Sequence, residues 1–119
     1  MALPKLNPDA SPEDLKDLFK QARKASDLLK ALSHETRLLI LCLLTEGEKS
    51  VSELETIMSM PQAAVSQQLA RLRFDNLVMT RRDGRQIYYQ IASDEISAIV
   101  DKLYEMFCAP VRNDKADGS

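Results

Sequence analysis

Apolar positions along this chain repeat first with a helical period, then with a period of two, then with a helical period again. Leu15, Leu18, Phe19, Ala22, Leu29 and Leu32 fall on one helical face. Ser11 before Pro12 offers an N-cap and a residue suited to the first helical position, so a first helix is expected from about Pro12 to Lys30. An amphipathic helix of that length near the chain start needs a partner surface. A second helix is expected from a Ser33 cap to about Glu46, ended by Gly47. Its interior, Leu38 to Leu44, is apolar on every side, which puts it in the middle of a small fold. Ser50 or Ser52 caps a short third helix with Leu54, Ile57 and Met58, and Ser59-Met60-Pro61 makes a turn.

The fourth helix, from about Pro61 to Asp75, is expected to bury Ala64, Val65, Leu69 and Leu72 and to turn Gln62, Ser66, Gln67, Arg71 and Arg73 outward. The period then drops to two. Leu77 to Arg81 and Arg85 to Ile91 read as strands flanking Arg82-Asp83-Gly84, a hairpin signal because Gly takes the positive φ of tight turns. Asp94 is the expected cap of a last helix with the stripe Ile96, Ile99, Val100, Leu103 and Phe107, stopped near Pro110. The fold class is therefore mainly α with a small β-hairpin, ordered α-α-α-α-β-β-α. Residues 1–10 read as a flexible arm, 11–110 as one domain and 111–119 as a disordered tail.

Composition fits this picture. A chain of 119 residues has room for one core. With 5% aromatics and no Trp, that core must be Leu, Ile, Val, Ala and Met, which suits packed helices. The formal net charge of -2 gives no electrostatic signal for nucleic acid, but its distribution does. Five arginines (Arg71, Arg73, Arg81, Arg82, Arg85) stand against two aspartates between positions 71 and 85, whereas Asp9, Glu13, Asp14 and Asp17 face only Lys16 near the start. No basic leader precedes an apolar run, and no apolar stretch reaches the ~18 residues of a membrane span, so a cytoplasmic protein without membrane contact is expected.

Two short helices joined by a tight turn can lay the second into the major groove of duplex DNA. Gln62 and Gln67 offer paired donor and acceptor to adenine, an Arg makes two bonds to guanine, and Ser66 is short enough for a phosphate or base edge. Ala63 lies on the same face, and Arg71, Arg81, Arg82 and Arg85 complete the expected DNA contacts. An Arg-rich hairpin alone could equally solubilise an edge strand. A polar, Arg-bearing helix directly before an Arg-tipped hairpin, in an otherwise acidic chain, is the more specific signal.

Three motifs carry a family resemblance. Ala31-Leu32-Ser33-His34-Glu35-Thr36-Arg37 resembles the opening of ArsR-type repressors, Val65 to Arg73 is similar to their recognition helix, and Arg82 to Tyr89 to their wing. The resemblance spans roughly Ala25 to Cys108 and implies a winged helix-turn-helix repressor acting as a homodimer through its first and last helices. Two positions depart from the family pattern: Pro61 stands where a Ser or Thr cap is common, and Gln68 where a His is frequent.

Members of that family often bind metal. Here the third-helix stretch Val51 to Glu55 has no Cys, and the last helix has no His. His34, the single His, reads as a helix-start residue, and nothing in its spacing to Cys42 and Cys108 supports a three-ligand site, so no metal and no cofactor are expected. Each cysteine alone reads as a small buried hydrophobe. Together, one midway along the second helix and one late in the last, they can approach within bridging distance, a Cα separation under ~7 Å. The BigR/SqrR subgroup of these repressors is similar in carrying cysteines at both places. It implies reactive sulfur species, notably persulfides, as inducer, with release of operator DNA on di- or polysulfide bridging of Cys42 and Cys108. A metal-responsive repressor and a general thiol-oxidant sensor of the same fold remain alternatives, as does a protein-interaction module. A thiol peroxidase would need a base or oxyanion site beside a reactive Cys, and no Cys-x-x-Cys or Ser/His/Asp set exists, so no enzyme is expected.

Overall fold

The first helix opens on a side-chain cap: the Ser11 hydroxyl accepts the Asp14 N–H at 3.1 Å, and Pro12 fills a position whose N–H would have no partner. In the computed structural model, which describes residues 11–111, this helix (α1) runs Pro12–Leu32. Its end is tied by Ser33, whose N–H and hydroxyl both donate to the Lys30 carbonyl, at 3.2 and 2.7 Å. Ser33 therefore closes α1 and does not cap the second helix as expected. His34 takes the N-cap position of that helix (α2, Glu35–Leu44) without a side-chain bond. α2 also stops short of Glu46, because the Thr45 hydroxyl donates to the Cys42 carbonyl at 2.6 Å and Gly47, at φ +141°, turns the chain away.

A two-residue strand follows (β1, Lys49–Ser50), so the expected element order lacked one strand. Ser50 is at once the end of β1 and the cap of α3 (Val51–Met58): its hydroxyl accepts the Glu53 N–H while the Glu53 carboxylate accepts the Ser50 N–H, each at 3.2 Å. Ser59 in the left-handed region and Pro61 at the N-cap make the turn into α4 (Gln62–Phe74). α4 closes on Asn76 at φ +60°, with the Leu77 N–H reaching back to the Leu72 carbonyl at 2.9 Å and both leucines buried.

The hairpin pairs β2 (Val78–Asp83) with β3 (Gln86–Ile91). Asp83 opposite Gln86 leaves Gly84 and Arg85 as the two turn residues, one position later than the sequence suggests, with Gly84 at φ +63°. β1 adds to the other edge of β3, giving the antiparallel order β1-β3-β2. Ser93, not Asp94, caps α5 (Asp94–Leu103) by accepting the Ile96 N–H at 3.2 Å. The chain then makes a π-helical turn over Tyr104–Cys108 and resumes α-helix through Val111, one residue past Pro110 and the last residue described. The arm expected over 1–10 and most of the tail expected over 111–119 lie outside the described residues.

α2 sits at the centre as its all-round apolar pattern implies. It packs on α1, α4, α5 and β3, and Ile40, Leu41, Cys42 and Leu44 are buried with Leu54, Val65, Leu69, Leu72 and Val100. α1 differs: only its last two residues are buried, and Phe19 and Leu29 are 68% and 63% exposed. No helix among the described residues is long and apolar enough to cross a membrane.

Candidate nucleic-acid interface and cysteine pair

α4 divides its side chains by burial. Val65, Leu69 and Leu72 are buried, with Ala64 half-buried, while Gln62, Ala63, Gln67 and Arg71 are exposed and Ser66 half-buried. α3 and the turn at Ser59 brace this helix from behind, and β2 follows it directly. The five candidate residues of α4 thus lie on one element, next to the hairpin that carries the other three.

The four arginines differ in their engagement. Arg71 donates to Asp75 at 3.3 Å and lies 5.7 Å over the Phe74 ring, yet stays 62% exposed. Asp75 is shared with Arg37, whose guanidinium is 3.8 Å away and mostly buried. Arg82 and Arg85 are exposed at the hairpin end and make no ion pair among the described residues. Arg81 is held. Its Nε donates to Glu48 Oε2 at 3.1 Å, a second nitrogen donates to the other carboxylate oxygen, and the guanidinium stacks 4.8 Å from the Tyr88 ring centroid. That contact with Arg81 keeps the Glu48 carboxyl below its usual range. Sequence reading missed Glu48, because the pair joins residues 33 positions apart and an exposed glutamate in a turn has no local signal.

The two cysteines do meet. Cys42 on α2 is 3% exposed, Cys108 ends the π-helical turn half-buried, and both belong to the same apolar cluster as free thiols. The Cys108 side chain packs against the buried cluster that contains Cys42, close enough for its sulfur to bear on the Cys42 thiol. Burial, then the Cys108 sulfur and the Asp101 carboxylate, push the Cys42 thiol up to about 11, so at neutral pH it keeps its proton. Asp101 was not singled out by sequence reading. Among the described residues no three His, Cys, Asp or Glu side chains are grouped to hold a metal ion. His34 lies by a shallow cleft that it lines with Arg37, Gln67, Gln68 and Arg71.

Residues 34–80 match the family model described as bacterial regulatory protein, arsR family. The chain is 44% identical over 94 residues to the biofilm growth-associated repressor of Agrobacterium fabrum, covering 79% of this chain and 80% of that protein. The chain belongs to the ArsR family. It is also 41% identical to the transcriptional activator HlyU of Vibrio cholerae, over 82% of this chain and 91% of that one. The crystal structure of the transcriptional repressor BigR from Xylella fastidiosa superposes with a TM-score of 0.73 at 43% identity, covering 80% of this chain and 94% of that chain. This ArsR-family protein is accordingly a transcriptional regulator with a winged-helix fold, in which α3 and α4 form the helix-turn-helix and β2–β3 the wing. Its relatives are regulators and not enzymes.

Proposed function

We propose that this protein is a homodimeric repressor that binds operator DNA when its cysteines are reduced and releases it when reactive sulfur species bridge Cys42 to Cys108. The observation that carries the reading is the placement of both cysteines in one apolar cluster, Cys42 on α2 and Cys108 just beyond α5, which packs on α2. In the DNA-bound state α4 enters the major groove with Gln62, Ala63, Ser66, Gln67 and Arg71, and Arg82 and Arg85 of the wing lie against the backbone or minor groove. The exposed apolar residues of α1, α5 and the turn after it are the surface that a second copy covers.

Cys108 reacts first, because Cys42 is buried and keeps its proton. The Cys108 thiolate attacks the outer sulfur of a low-molecular-weight persulfide (RSSH), taking that sulfur and releasing the thiol RSH. Cys42, giving up its proton, attacks the Cys108 sulfur and expels hydrosulfide, leaving a disulfide. In sum, two protein thiols and one RSSH yield a disulfide, RSH and hydrogen sulfide. If both cysteines first carry an added sulfur, the same displacement leaves a trisulfide and hydrogen sulfide. The new bond ties the end of the last helix, which bears the apolar face, to α2, which packs on α4. Taking a repressor from ~99% to ~1% competent needs ~5.5 kcal/mol of differential stability. A cross-link typically contributes ~2–4 kcal/mol, and a dimer carries two.

Mass spectrometry after persulfide, organic disulfide or peroxide treatment, run beside duplex binding, tests this for wild type, Cys42→Ser and Cys108→Ser. The expected result is an intramolecular bridge and DNA release in the wild type alone, with persulfide the effective reagent. Release by both variants as by wild type would overturn the two-thiol switch. Bridging by every oxidant alike would turn the protein into a general thiol-oxidant sensor.

A further inference from the structure

Among the arginines on the candidate DNA face, Arg81 differs in having its guanidinium engaged from several sides within its own chain. Two of its nitrogens donate to the Glu48 carboxylate, the third lies 3.8 Å from Asp83, and one face of the group covers Tyr88. Two carboxylates beside one guanidinium leave a local charge that repels phosphate. The sheet explains the geometry. Tyr88 is the β3 residue opposite both Ser50 of β1 and Arg81 of β2, so its ring lies between the two outer strands. Glu48 immediately precedes β1. Arg81 thus reaches from β2 over the middle strand to the turn that leaves α2.

We propose that Arg81 is a positioning residue: with Glu48 and Tyr88 it clamps the wing to the α2–β1 turn and makes no phosphate contact of its own. This rests on the reading of the wing as a DNA-binding element. β1 pairs with β3 through two residues only, so the Glu48–Arg81 pair extends the link between that edge and β2 beyond the backbone ladder. The planar fork of an arginine suits the role, because it meets a carboxylate through two parallel bonds while stacking on an aromatic ring, which a lysine does not do. Arg82 and Arg85, held by no such pair, are then the wing residues left to meet the polyanion.

Two measurements test the clamp. In the DNA-free, full-length protein, amide hydrogen exchange at residues 82–87 is expected to speed up about fivefold in Glu48→Ala and in Arg81→Ala, the size an exposed ion pair allows. The double variant should add little to either. For DNA, the probe is a duplex selected by the wild-type protein from a randomised pool. The charge swap Glu48→Arg with Arg81→Glu should recover a large part of the binding lost in Arg81→Glu and keep the wild-type salt dependence, while Arg81→Glu alone binds weakly. Unchanged exchange in both single variants would overturn the proposal. So would a swap variant as weak as Arg81→Glu alone, or an Arg81→Ala variant whose salt slope falls by about 1, the mark of a lost phosphate contact. If the wild type binds no duplex, the DNA reading fails, and hydrogen exchange still decides whether Arg81 clamps the wing.

Discussion

Two exposed surfaces of this chain call for different partners. On α4 and the wing the outward residues are mostly polar, among them Gln62, Gln67, Arg71, Arg82 and Arg85, with the exposed Phe74 lying under the Arg71 guanidinium; water solvates such a surface well, and a polyanion would take its place. On α1 and the last helical turns they are Phe19, Leu29, Met106 and Phe107, each more than half exposed. Apolar area left in water costs about 25 cal/mol per Å² relative to burial, so that surface favours another apolar surface and gains nothing from nucleic acid. Exposure alone therefore does not define an interface. The chemistry of what is exposed selects the partner, and the cysteine pair lies on the elements that connect the two surfaces.

The largest expected effect separates them. Phe19→Glu or Phe107→Glu puts a charge into the apolar surface without touching α4, the wing or the buried core. Sedimentation should find these variants monomeric at micromolar concentration. Affinity for a duplex with two half-sites should fall ~100-fold or more, since two-site binding gains about 10²–10⁴ over one. The denaturation midpoint of the α2–β3 body should barely move. A Phe107→Glu protein that stays dimeric and binds as wild type would remove the end of the last helix from the interface.

The next effect belongs to the cysteine pair itself. In the reduced fold the Cys42 thiol ionises at about 11 against an ordinary value of 9.0. Between those values the unfolded chain releases a proton that the folded chain keeps. The stabilisation is therefore complete below about pH 9 and is lost as pH rises through about 11. A rise of this size is worth roughly 2–3 kcal/mol. Denaturant unfolding of reduced protein should lose about that much over this range, and Cys42→Ala should lose less by the same margin. Parallel pH curves for the two would mean that Cys42 is more hydrated than its 3% exposure implies.

How far the sequence revealed this arrangement depended on whether a feature is local. α1, α4, the hairpin and the central place of α2 follow from apolar periodicity, and each is found. Helix ends were read less well where two residues compete for one job. Ser33 bonds backward to Lys30, leaving His34 at the start of α2, and Ser93 caps α5 although Asp94 beside it is as competent. β1 escaped because Ser50 serves both strand and cap, and two residues carry no period. The π-helical turn inserts one residue per turn before Cys108 and leaves no compositional trace. Within the site, the places of Cys42 and Cys108 on two helices pointed to their sharing one region of the fold, and both lie in the same apolar cluster. The Glu48–Arg81 pair was not anticipated, because only the three-stranded sheet brings those residues together.

The smallest effects divide the charged surface within itself. Arg85 lies in the turn of the hairpin and Gln67 is exposed on α4; on the proposed reading the first meets phosphate and the second a base edge. A phosphate contact releases counterions and is blind to sequence; a base contact does the opposite. Arg85→Ala should weaken binding to specific and unrelated duplexes by similar factors and lower the salt slope by about 1. Gln67→Ala should leave the slope alone and cost roughly 1–3 kcal/mol of discrimination at one base pair. Both are read from the same titrations of duplex at several salt concentrations. If Gln67→Ala weakens all duplexes equally and also lowers the slope, α4 lies along the backbone and not in the groove, and base reading must come from the wing.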